Sequence, residues 1–108
     1  MSKVNLSVNL AGVDLKNPLV TASGTFNPQA HSQFYDLSLL GGVTLKGVAD
    51  VAWPGNPTPR IAETYGGMLN SVGLHNPGVE AMKKEDLPFM EQFDTAVIVN
   101  TAGHSIEE

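Results

Sequence analysis

NPLVTASGTFNPQAHSQFYDLSLLGGVTLKGV, residues 17 to 48, decides the fold, because it reads as one complete strand, helix and strand passage. Residues 19–22 are a short apolar run ended by Ser23-Gly24, a turn-forming pair. Residues 29–40 carry Phe34, Leu37 and Leu40 at helical spacing, which predicts a helix. Residues 43–45 are a second apolar run, closed by Lys46-Gly47. Two short apolar runs separated by a helical pattern make a βα unit with parallel strands.

The same reading extends in both directions. Upstream, Leu6, Val8 and Leu10 alternate with Asn5, Ser7 and Asn9, the period of a half-exposed strand, and Ala11-Gly12 turns it back into residues 13–15 as an entry hairpin. Downstream, residues 79–82 form a short helix after Pro77, and residues 96–99 a third strand after Phe93-Asp94. The class is α/β. Ser105 with Glu108 three residues later is the capping-box pattern of a helix about to begin, so residues 1–108 are expected to be part of one larger domain that continues at the C-terminus.

Composition narrows the chemistry. A net charge of −5 argues against a nucleic-acid surface, which needs a basic stripe. No run approaches the ~18 apolar residues of a membrane span, and the N-terminus lacks the apolar core of a secretion signal, so a cytoplasmic protein with no membrane partner is expected. The absence of cysteine excludes disulfides, iron–sulphur ligation, thiolate zinc and a cysteine base within these residues. His31, His75 and His104 lack metal-ligand spacing, and no metal is expected. Neither a Walker loop nor a G-x-G-x-x-G fingerprint is present, and the four methionines and Trp53 read as packing residues.

Residues 55–78, GNPTPRIAETYGGMLNSVGLHNPG, read as an irregular segment, either a ligand-binding loop or an ordered surface loop of turn residues. Prolines 57, 59 and 77 stiffen it, and its glycines allow close backbone approach. Asn70 and Asn76 offer amides that donate and accept, suited to a flat polar ring, although Asn76 also fits a cap for the helix after Pro77. Arg60 and Glu63 are expected to pair and brace the loop. Lys46, after its apolar run, either faces an anionic ligand or snorkels to water, and Ser23 either serves a site or completes a turn.

Four passages, NPLVTASGTF at 17–26, LGGVTLKGV at 40–48, the NPTPRIAET, GMLN and GLHNPG succession, and VIVNTAG at 97–103, together resemble the dihydroorotate dehydrogenase family, in particular its NAD-linked class 1B catalytic subunits. The resemblance covers nearly the whole chain. It implies a TIM (β/α)8 barrel, of which a complete copy takes ~250 residues, so that the hairpin and about three βα units are present here. It also implies oxidation of dihydroorotate to orotate in pyrimidine biosynthesis with FMN as cofactor. Electrons would leave through a partner subunit carrying FAD and a [2Fe-2S] cluster to NAD+, in a heterotetramer. By the same resemblance Ser23, Gly24, Lys46, Gly47 and Asn100 hold the flavin, and Lys46, Asn70, Ser71, Val72, Gly73 and Leu74 line the substrate. The family's cysteine base would lie beyond Glu108, leaving no catalytic base here and an inactive piece in isolation. Two alternatives stay open: a class 1A fumarate-linked enzyme, and a non-catalytic binding or structural piece.

Overall fold

The computed structural model describes residues 4–108. β1 (Val8–Leu10) and β2 (Val13–Leu15) form the expected antiparallel hairpin, with Val8 opposite Leu15 and Leu10 opposite Val13. Its turn is local: Asn9 donates to the Asp14 carboxylate and accepts from Gly12 N–H. Leu15 alone of the hairpin is buried. Lys16 ties the hairpin to the rest of the chain by ion-pairing with Asp94 at 2.8 Å and donating to the Ser38 carbonyl.

The strand after the hairpin is reduced to one parallel bridge from Val20 to Gly42. It leads to α1 (Pro28–His31), capped by the Asn27 side chain, which accepts from Ala30 N–H. The helix expected over residues 29–40 does not form: α1 stops after one turn, and only a 3-10 turn, Leu37–Leu39, follows. Asp36 starts that second turn. Its carboxylate accepts from Ser38 N–H at 2.9 Å while its own backbone is extended, so a fresh cap replaces helix continuation. Phe34, counted on the buried face by spacing, is 81% exposed.

β3 (Gly42–Thr44) then runs parallel to β6 (Ala96–Ile98), with Gly42 opposite Ala96 and Thr44 opposite Ile98. The Val20 bridge, β3 and β6 therefore lie side by side in chain order, all parallel. No closed barrel exists among the described residues. Between β3 and β6 come β4 (Ile61–Thr64), β5 (Gly67–Asn70), α2 (Val79–Lys84) and α3 (Asp86–Met90). The second half of this passage supplies the helical layer: Met82 of α2 and Met90 of α3 pack with Leu37, Val43, Leu45 and Val48, and Phe26, Leu40, Leu87, Phe89 and Phe93 close around them. Val43 and Leu45 sit two residues apart and face this core, which leaves Gly42, Thr44 and Lys46 on the opposite face of the sheet.

The segment expected as irregular loop, residues 55–78, instead contains a regular hairpin. β4 and β5 pair antiparallel from Ile61–Asn70 to Thr64–Gly67, turning at Tyr65-Gly66. Every residue of both strands is exposed. The expected Arg60–Glu63 pair is also absent. Residues three apart along extended chain point to opposite sides, and Arg60 is occupied elsewhere: Nε donates to the Asn56 carbonyl at 2.6 Å and Nη2 to the Pro54 carbonyl at 2.8 Å. It braces the loop through backbone oxygens rather than through a carboxylate.

Candidate functional site

Register decides which polar residues meet. Val20 bridges Gly42, and Gly42 is opposite Ala96. Extending both pairings along the strands by four residues brings Gly24, Lys46 and Asn100 to one row at the C-terminal end of the sheet. The atoms agree. A Cβ built on Gly24 would lie 3.5 Å from Lys46 Nζ, and one built on Gly47 would lie 3.2 Å from Asn100 Nδ2. The backbone locks this end: Leu45 N–H donates to the Ile98 carbonyl, Val48 N–H to the Asn100 carbonyl, and Ala102 N–H to the Val48 carbonyl. Thr21 adds a bond that composition does not advertise, its Oγ1 accepting from Thr44 N–H at 2.9 Å.

Within this row the side chains divide by whether the protein already uses them. Ser23 Oγ donates to the Leu45 carbonyl at 3.0 Å, stitching the first strand end to the second. Its hydroxyl retains acceptor capacity only. Lys46 is half-buried, and among the described residues its ammonium has neither a hydrogen-bond partner nor an ion pair. Asn100 makes no side-chain hydrogen bond among them either, although its carbonyl is engaged. A half-buried cation and an open amide thus stand beside a glycine whose missing side chain leaves space. This set suits a planar ring with carbonyl and nitrogen acceptors, and Lys46 would also attract a carboxylate or a developing negative charge.

The two asparagines of the 55–78 segment separate in the same way. Asn76, 2% exposed, uses both ends of its amide internally. Its Oδ1 accepts from Ala49 N–H at 3.1 Å and Gly78 N–H at 3.0 Å, and its Nδ2 donates to the Leu74 carbonyl at 2.9 Å. It is a structural residue, though not as a direct cap, since Gly78 occupies the N-cap of α2. Asn70 ends β5 exposed, with no side-chain bond among the described residues. Ser71 N–H donates to the Arg60 carbonyl, while Asn56 Nδ2 donates to Ser71 Oγ and the Val72 carbonyl accepts from Asn56 N–H. Gly73 has φ +75°, and a Cβ there would meet Asn56 N at 2.7 Å, so close packing inside the loop already requires glycine. Leu74 holds φ +52°, an uncommon conformation for a bulky side chain.

No hydrogen bond among the described residues joins Asn70, Ser71, Val72, Gly73 or Leu74 to Ser23, Lys46 or Asn100. The structure thus gathers the first group of expected site residues into one row and carries the second on a separate arm. That arm is rooted close by, through the Asn76 bond to Ala49 just after β3. The shifted carboxyl groups lie away from the row: a Lys83 hydrogen bond holds Glu80 below the usual carboxylate range, and a Ser105 hydrogen bond does the same for Glu107. Over residues 105–108 Ser105 Oγ accepts from Glu107 N–H, but Glu108 reaches back to His104 N–H, one residue short of the capping-box pairing. Among the described residues no helix is long and apolar enough to cross a membrane.

Comparison with known proteins matches residues 5–108 to the family model for dihydroorotate dehydrogenase. The chain is 59% identical over its whole length to the dihydroorotate dehydrogenase B (NAD(+)), catalytic subunit of Alkaliphilus metalliredigens, of which it covers 36%. It is likewise 59% identical to the protein of that name from Alkaliphilus oremlandii, again covering 36% of it. Against the one from Lachnoclostridium phytofermentans, 97% of the chain aligns at 58% identity with 35% of the relative. The chain therefore spans about a third of the length of the curated relatives it matches.

Proposed function

Since the chain belongs to the dihydroorotate dehydrogenase family, we propose that residues 1–108 belong to a single barrel domain, as its entry hairpin and first three βα units, and build one wall of a pocket that oxidises dihydroorotate to orotate. The observation that carries this reading is the division of polar side chains: Lys46, Asn100 and Asn70 have no side-chain partner among the described residues, whereas Ser23 and Asn76 are consumed in holding the frame. Strand ends are where such barrels place their chemistry.

Bound FMN would supply the redox chemistry by accepting hydride from the substrate. Gly24, Lys46, Gly47 and Asn100 would hold it, with Ser23 fixing the strand end beneath. The residues fit such a group: the bare backbone of Gly24 lies beside the Lys46 ammonium, where a side chain would already be in contact with it, and the Asn100 amide can both donate and accept. Lys46 gives fixed positive charge where negative charge develops, an arrangement that requires no reorganisation during reaction. Asn70 binds the polar ring of dihydroorotate, with Ser71, Val72, Gly73 and Leu74 shaping the same side. No cysteine occurs in these residues, so the cysteine base that the family resemblance implies would be supplied by another part of the full-length protein.

The relatives' shared name, with its NAD(+) and its catalytic subunit, supports the B class over a fumarate-linked A enzyme and over a non-catalytic piece. On that reading a second subunit carries FAD and a [2Fe-2S] cluster and passes electrons to NAD+, in a heterotetramer located in the cytoplasm. The full-length protein tests the proposal directly. It should purify with FMN, and anaerobic addition of dihydroorotate should bleach the flavin spectrum. A full-length protein that binds no flavin, or one whose flavin dihydroorotate leaves oxidised, refutes it.

A further inference from the structure

Trp53 and His104 come from different loops, one following β3 and the other following β6, yet their rings stack with centroids 4.4 Å apart and planes inclined by 25°. Trp53 is half-buried and His104 exposed. The backbone of Trp53 is doubly bonded to Asn76, each N–H donating to the other's carbonyl at 3.0 Å. Asn76 in turn donates to the Leu74 carbonyl at 2.9 Å. An unbroken path of contacts therefore runs from the His104 ring through Trp53 and Asn76 to the end of the Asn70–Leu74 arm. Among the described residues the hydrogen bonds between the two loops, Val48 N–H to the Asn100 carbonyl and Ala102 N–H to the Val48 carbonyl, are backbone bonds at the C-terminal end of the sheet. The stack is the side-chain tie above them, and the Glu108 carboxylate holds its histidine end by accepting from His104 N–H.

We infer that the Trp53–His104 stack is a clamp that fixes the neck of the 70–74 arm against the third strand's loop, making both rings positioning residues for substrate binding. The inference rests on the reading of residues 70–74 as the substrate side of the pocket. Among the described residues neither ring hydrogen-bonds to or stacks on Lys46, Asn70 or Asn100, so the effect passes through the arm's backbone. Leu74, held at positive φ next to the Asn76 bond, is the point at which slackening would be felt.

The test compares the full-length holoenzyme with His104→Ala and with His104→Phe, which keeps a flat ring for stacking. Backbone amide exchange over residues 70–76 should rise about three- to tenfold in His104→Ala, the range set by losing one aromatic pair. The KM for dihydroorotate should rise by a similar factor while kcat and flavin content stay at wild-type values, because the perturbation lies in the arm and not in the Lys46 row. His104→Phe should restore both exchange and KM. Unchanged exchange in His104→Ala overturns the clamp, and so does faster exchange with an unchanged KM, or a His104→Phe protein as impaired as His104→Ala. Should the wild-type enzyme not oxidise dihydroorotate, the functional reading fails, while the exchange comparison still decides whether the stack restrains the arm.

Discussion

Replacing Asn76 by alanine should be among the most destabilising changes available outside the apolar core. The side chain is 2% exposed and makes three hydrogen bonds, all to backbone groups. Truncation strands the N–H groups of Ala49 and Gly78, both on buried residues, and removes the donor from the Leu74 carbonyl. A buried polar group left without a partner costs about 1–3 kcal/mol. Two such donors give a loss of about 2–6 kcal/mol if water does not enter the gap. Asn76→Asp separates the contributions: it keeps both acceptor bonds but loses the bond to Leu74 and buries a charge, which also destabilises unless the acid protonates. Urea unfolding of the full-length holoprotein, read by flavin release and by circular dichroism, measures both variants. An Asn76→Ala protein within about 0.5 kcal/mol of wild type would refute the reasoning, since that is the range of an ordinary surface change.

Asn70→Ala should lower kcat/KM for dihydroorotate by roughly five- to a hundredfold with flavin loading unchanged, the effect of losing one buried amide paired to a ligand; equal kinetics in wild type and variant would remove Asn70 from the site. The 108-residue chain on its own should self-associate and fail to retain FMN, because the parallel sheet has open edges at β6 and at the Val20 strand; a monodisperse yellow monomer on gel filtration would contradict this. Glu80 should titrate below the ordinary carboxylate range because Lys83 donates to it at 3.0 Å. A depressed folded-state pKa contributes stability that is present above the unfolded pKa and lost as pH falls through the folded one, a small effect for so exposed a pair. Carbon-detected NMR of the Glu80 carboxyl, compared with Lys83→Ala, should show the midpoint moving up on loss of the lysine.

The parallel strands were legible because short apolar runs followed by Ser-Gly, Lys-Gly and Asn carry both the strand and its end, and only a one-residue shift separates residues 43–45 from β3. The row of Gly24, Lys46 and Asn100 follows from the same logic once register is known, but register is set by pairing and is invisible in the runs themselves. Spacing misled at residues 29–40. Phe34 fits a helical face, but α1 ends at His31, and the local bond of Asp36 to Ser38 N–H caps a separate 3-10 turn instead. The β4–β5 hairpin is masked by the prolines and glycines on either side, although Tyr65-Gly66 between two extended tetrapeptides is a hairpin-turn signal. Nothing in composition separates Asn70 from Asn76, since both lie in glycine- and proline-rich surroundings. Burial does so, by consuming one amide and leaving the other open.

On the proposed function, the half-buried ammonium of Lys46, which has no partner among the described residues, faces both flavin and substrate. Anaerobic single-turnover reduction of the full-length Lys46→Ala enzyme by dihydroorotate tests it most directly. The account predicts lower flavin occupancy and, in the fraction that remains loaded, slower flavin reduction than in wild type. Full flavin content with a wild-type reduction rate would contradict it and make Lys46 a strand-end lysine extended toward water.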